Sequence, residues 1–169
     1  NASLRRSSRK KSVDGTLTLQ QRVTAAFLGV YVLLQFVIPL RHFLYPGVVH
    51  WTEEGHRFAW HMKLRGKSGR GHFIVRDTAS GDAWVVDPDV ELKQRQLEKM
   101  LGRPELILIY AHHLRDRYRA QGRDVEVYAR IEARLNQHSY QTLIDPDVDL
   151  AKVEFSFWPA EWIVPLKVR

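Results

Sequence analysis

The chain has 169 residues, 27% charged and 44% hydrophobic, which suits one compact domain with an appended helix. It contains no cysteine, so disulfides, thiolate metal sites and a cysteine nucleophile are excluded. Five of its formal +7 charges sit on Arg5, Arg6, Arg9, Lys10 and Lys11, and the remaining +2, without an aromatic platform, points away from nucleic acid.

Residues 1–18 read as a flexible basic lead-in, whose charge suits anionic lipid heads. Asn1-Ala2 reads as a tag scar or a cut point. Thr18 and Gln21 fit a capping box, in which hydroxyl and amide satisfy the exposed donors of a helix start. Residues 19–40 then form the hydrophobic helix, with the uncharged run VTAAFLGVYVLLQFVIPL at 23–40. Eighteen such residues rise about 27 Å as a helix, near the minimum for a bilayer. Basic residues lie before the run and Phe43, Tyr45 and Trp51 follow it, an order expected of a cytoplasmic flank and a lipid–water boundary. The run is therefore expected to be the last transmembrane span, ending or kinking at Pro39 and leading to an extracytoplasmic domain over 41–169. A buried helix of a soluble protein is the alternative, though no clear polar stripe marks the run.

The segment RHFLYPGVVHWTEEG reads as an interfacial connector with a helical turn near Thr52-Glu53-Glu54. Alternation at Phe58, Trp60, Met62 and Leu64 predicts a strand; GKSGRG predicts a hairpin turn into a strand over 72–77; TASGD predicts another into 83–87. Adjacency makes these three a meander. Helices are expected over 91–101 and 105–121, the second packing Leu106, Ile109, Tyr110, His113, Leu114 and Arg117 on the sheet and ending at Gly122. Residues 124–135 alternate over a length suited to a central strand, and 141–151 give a short strand plus a turn before an aromatic tail. The sum is an α+β fold: an antiparallel sheet domain with two inserted helices, preceded by one hydrophobic helix.

No catalytic constellation stands out. None of the eight histidines forms HExxH, and the adjacent rings of His112 and His113 diverge, so no metal site is expected. His113 is expected at the core edge, bonded to backbone. Glu53 and Glu54 read as a solvated turn. The two Asp-Pro-Asp triplets read as turn starters rather than calcium ligands. His42, beside Arg41 after the helix, lies where a bilayer-dissolved molecule could reach it, or else serves as an interfacial anchor.

The block IPLRHFLYPGVVHWTEEGHRFAWHMKL, then VDP at 86–88, ELILIYAHHLRDRY at 105–118, LIDPDVDLA at 143–151 and PAEWIVPL at 159–166, occur in that order. Together they resemble the C-terminal region of the vitamin K-dependent γ-glutamyl carboxylases and their bacterial relatives, the HTTM proteins. The resemblance implies a membrane enzyme of the carboxy-lyase class that couples oxygenation of a reduced vitamin K-type quinol to carboxylation of glutamyl residues. It places the catalytic helices outside this chain, which itself would be catalytically silent. The connector PLRHFLYPG matches the stretch lying by the glutamate and quinol site. The animal enzymes read more like PYSHFL there, so His42, Phe43 and Leu44 match while Leu40 and Arg41 depart. Arg41, His42, Phe43, Trp51 and Trp60 are expected to shape the mouth of that site. The expected partners are the lipid membrane and a glutamate-containing polypeptide, held by the sheet domain. Rival readings are a non-catalytic, membrane-anchored peptide-binding module and a soluble α+β scaffold.

Overall fold

The computed structural model describes residues 18–45, 47–55, 66–156 and 158–167, with His42 described in its backbone alone. The expected strand over 58–64, and Trp60 with it, lies outside the described residues. The chain divides into two units, Asn1–Val37 and Ile38–Arg169.

The first unit is carried by helix α1 (Leu19–Leu40). Its start is the expected capping box: the Thr18 N–H donates to Gln21 Oε1 at 2.9 Å and the Gln21 N–H to Thr18 Oγ1 at 3.3 Å. Val23, Leu28, Val32 and Leu33 are all exposed and lie on different faces of the helix, so α1 is not buried as a core helix among the described residues. The helix does not stop at Ile38. Pro39 lies inside its last turn, and a tighter 3₁₀ turn, Arg41–Leu44, follows. A proline missing one N–H costs least where the ladder is about to end.

The second unit is the sheet domain. After the short helix α2 (Val49–Thr52), a four-stranded antiparallel sheet has the order β2-β1-β3-β4, with β1 at Lys67–Asp77, β2 at Ala83–Val86, β3 at Val125–Leu135 and β4 at Gln141–Thr142. Helices α3 (Gln94–Leu101) and α4 (Pro104–Ala120) are inserted between β2 and β3, as expected for the α+β class. A 3₁₀ turn at Pro88–Val90 precedes α3, which begins at Gln94, three residues later than predicted.

GKSGRG is not a hairpin turn. Residues 67–71 are the first half of β1, which pairs with β3 from Lys67↔Leu135 to Asp77↔Val125. The glycines serve close approach rather than turning. A Cβ on Gly69 would run into the Leu101 backbone, and one on Gly71, at φ +145°, into the Arg130 carbonyl. The β1–β2 hairpin forms as expected, with Trp84 and Val86 turned inward and Val85 outward.

The core lies between one sheet face and the helices: Phe73, Val75, Val127, Ala129, Ile131 and Ala133 meet Ile107, Ala111 and Leu114. The buried stripe of α4 is Ile107, Tyr110, Ala111 and Leu114, an i, i+3, i+4, i+7 series. Of the predicted stripe, Tyr110 and Leu114 are buried and Leu106 packs against the core, whereas Ile109 is 46% exposed and His113 faces solvent. Beyond β4 the sheet edge is extended by irregular segments. Leu143 N donates to Ile131 O at 2.9 Å, and Val164 N to Leu143 O at 2.9 Å, so the C-terminal segment becomes the outermost layer.

Candidate functional site

Three polar arrangements stand out in the sheet domain. The first joins the connector to the C-terminal segment. Trp51, on α2, is fully buried; its indole N–H donates to the Val164 carbonyl at 2.7 Å, and Lys67 Nζ lies 5.2 Å from the ring centroid and donates to the Trp51 carbonyl. Glu53 ends α2 in the left-handed region at φ +61°, which turns the chain so that Glu54 Oε1 accepts the Ala160 N–H at 2.7 Å. Glu54 is thus half-buried, not part of a solvated turn. Burial pushes its carboxyl above the usual range, outweighing the hydrogen bonds from Ala160 and Thr52 that pull it down.

Upstream of this clasp, Arg41, His42 and Phe43 share one 3₁₀ turn. Phe43 is 74% exposed, and Arg41 keeps a buried Nε–H with no hydrogen-bond partner among the described residues. A buried donor left without a partner can receive an oxygen acceptor. Of the five residues expected at the site mouth, three are therefore contiguous, Trp51 is enclosed in the clasp, and Trp60 lies outside the described residues.

The second arrangement fixes the loop after β2 to α4. Glu91 accepts from Tyr110 Oη at 3.1 Å and from Arg117, with His113 Nε2 at 4.0 Å. Burial alone would raise the Glu91 carboxyl, but the Arg117 guanidinium holds it below its usual value. Burial and then Glu91 push the Tyr110 phenol well up, so it stays a donor. The imidazole bonded to backbone is His112, whose Nε2–H meets the Val153 carbonyl at 2.8 Å; His113, predicted for that role, faces solvent beside Glu91.

The third is the outer sheet face. Registered pairs set Arg70 against Glu132, His72 against Arg130 and Arg76 against Glu126. Arg70 and Arg134 flank the Tyr140 ring, 4.2 and 5.2 Å from its centroid. A hollow of about 420 Å³ opens between Arg70, His72, Arg130, Thr142 and Pro146. Sequence reading missed this face because alternation marks the inward residues, and the outward ones become a surface only when β1 and β3 are paired.

Among the described residues no three His, Asp or Glu side chains gather to hold a metal ion.

The family model of the vitamin K-dependent gamma-carboxylase lumenal domain matches residues 20–169. The chain belongs to that family. The match takes in α1, the connector and the whole sheet domain, so the motifs quoted from the sequence fall within one family pattern. No solved structure matches the chain. The lumenal-domain family and a helix long and apolar enough, by length and composition, to cross a membrane together suggest a membrane protein with a lumenal domain.

Proposed function

We propose that this chain serves a membrane-embedded, γ-carboxylase-like enzyme as its last span and extracytoplasmic domain, holding substrates for chemistry carried out on helices outside it. The family match over residues 20–169 carries this reading. The γ-carbon of glutamate is so weak an acid that no side chain described here could deprotonate it, and oxidation of a reduced vitamin K-type quinol would supply the stronger base. The connector fits such a molecule: exposed Phe43 and Leu44 offer an apolar wall, and Arg41 Nε an open donor. Arg41 and His42 would orient the reacting groups at the end of α1, with Phe43 excluding water. Trp51 anchors α2, which follows that turn in the chain, to the C-terminal segment. The outer sheet face, whose hollow is lined by Arg70, His72, Arg130 and Glu132, would offer His72 and Arg130 to acidic side chains of a glutamate-containing polypeptide, Arg70 being paired with Glu132 at 2.8 Å.

The test is an assay of the whole protein in membranes, with reduced vitamin K, oxygen, bicarbonate and a glutamate peptide. Epoxide together with carboxylated peptide supports the reading. Epoxide alone points to a quinol oxygenase with another acceptor, and neither product leaves a membrane-anchored binding module.

A further inference from the structure

A second hollow, of about 430 Å³, adjoins the one on the outer sheet face, and Thr142 of β4 lines both. Its other walls include His138 and Ser139, from the loop between β3 and β4, and Lys167, from the C-terminal segment. The walls are braced. Gln141 Nε2 donates to the Lys167 carbonyl at 3.0 Å, and the Lys167 N–H donates back to Gln141 Oε1 at 2.9 Å. The His138 N–H closes a turn on the Leu135 carbonyl at 3.2 Å, and the Val164 N–H joins the C-terminal segment to Leu143. The two hollows are thus held side by side within the sheet domain.

The charged groups lining the second hollow are of one sign. Lys167 brings an ammonium, His138 a ring that can donate, Ser139 and Thr142 hydroxyls, and among the described residues no carboxylate lines it. Nor does any carboxylate among the described residues pair with Lys167. In the sheet-face hollow Arg70 is taken up by Glu132, whereas Arg130 has the well-exposed Asp147 at 3.9 Å and stands opposite His72 in the ladder. Each hollow therefore offers one cation without a close carboxylate, Arg130 in one and Lys167 in the other, with Thr142 between them. A compact anion would occupy one hollow. An extended polypeptide, whose alternate side chains lie about 7 Å apart on one side, can engage both.

We propose that an acidic polypeptide seated on the outer sheet face continues over Thr142 into the second hollow, so that two of its carboxylates are bound at once. Arg130 and His72 receive one; Lys167, His138 and the hydroxyls of Ser139 and Thr142 receive the other. The inference rests on the reading of the sheet face as the polypeptide's seat. An exposed ion pair discriminates little by itself. Two hollows at a fixed separation do more, because the second contact forms intramolecularly once the first is made. The domain thereby selects a segment with two acidic residues at a set spacing over an isolated glutamate.

The test is fluorescence anisotropy of labelled peptides on the full chain in uncharged detergent at low salt. The peptides are otherwise neutral and carry one glutamate, or two at varied spacing. The expected result is an optimum spacing at which the two-glutamate peptide binds severalfold tighter than the one-glutamate peptide, an advantage that added salt removes. Lys167→Gln, at an exposed position, should abolish that optimum and weaken binding of the best peptide by up to about fivefold, with the thermal midpoint unchanged. Equal affinity at every spacing, or an optimum that survives both Lys167→Gln and His138→Gln, overturns the second hollow; if Arg130→Gln still weakens binding, the sheet-face reading stands. Binding that neither Arg130→Gln nor His72→Gln weakens overturns that reading and this inference together. Capture of phosphatidylglycerol vesicles that Lys167→Gln abolishes, with no peptide bound, assigns the hollows to anionic lipid and overturns the inference as well.

Discussion

At the residue scale, the side chains that position the connector are identifiable by what they would lose. Trp51 fills space at the base of the clasp and satisfies the Val164 carbonyl, so Trp51→Ala should cost about 3–5 kcal/mol in denaturant unfolding. Trp51→Phe should cost less, losing mainly one hydrogen bond of about 1 kcal/mol. Two carboxylates should respond to pH in opposite senses. Asp77 accepts from Arg123 Nε at 2.8 Å and from the Ala79 N–H, and these bonds hold its carboxyl below the usual value. A lowered folded pKa gives stability that is present above the ordinary carboxylate range and is lost as pH falls through the lowered value. Asp77→Asn should therefore destabilise the domain at neutral pH and matter progressively less in acid. Glu54, raised by burial, has the reverse sign: its favourable linkage is present in acid and lost as pH rises through the raised value. Glu54→Gln keeps an acceptor for Ala160 and should unfold at an equal or higher temperature at neutral pH, the difference closing below about pH 4. Thermal melts of both variants across pH check the two signs. For activity, Arg41→Gln should lower carboxylation by the whole protein by at least about tenfold, the size of a lost charged hydrogen bond of about 1.5–3 kcal/mol, with the thermal midpoint unchanged.

At the element scale, β1 shows why local signals mislead. A run with three glycines in six residues reads as a turn, yet Gly69 and Gly71 lie in the ladder because α3 and β3 come too close for a side chain. Gly71→Ala should destabilise by about 1–3 kcal/mol, since both its φ of +145° and the Arg130 carbonyl oppose a Cβ. Equilibrium unfolding against an exposed control such as Gly81→Ala, which also has positive φ but open space, separates the collision from the backbone strain. Helix α4 errs differently. Its boundaries were readable from Pro104 and Gly122, but its inward face only in part, because an alanine in the stripe contributes little to an apolar pattern and Ile109 outside it contributes much. Strand β3 was readable throughout, since a long alternation with no glycine admits one register face.

At the scale of the whole molecule, the second unit holds the buried core, from Trp51 to Ile163, and α1 contributes only Pro39 to the buried residues. A chain beginning at residue 38 should thus unfold in one cooperative transition near the midpoint of the full chain in detergent, which calorimetry would test. The sequence by itself determined the α+β class, the apolar helix with its Thr18–Gln21 cap, the β1–β2 hairpin, the central strand and the family resemblance. These follow from periodicity, capping chemistry and ordered motifs, which act over neighbouring residues. Only the tertiary structure decided that glycines sit in a strand, that Glu54 and Trp51 clasp the C-terminal segment, that Glu91 gathers Tyr110 and Arg117, and that Arg70, His72 and Arg130 share a hollow. Each of those joins residues far apart in the chain, and their meeting is fixed by packing volume and strand register, quantities that a single segment does not carry.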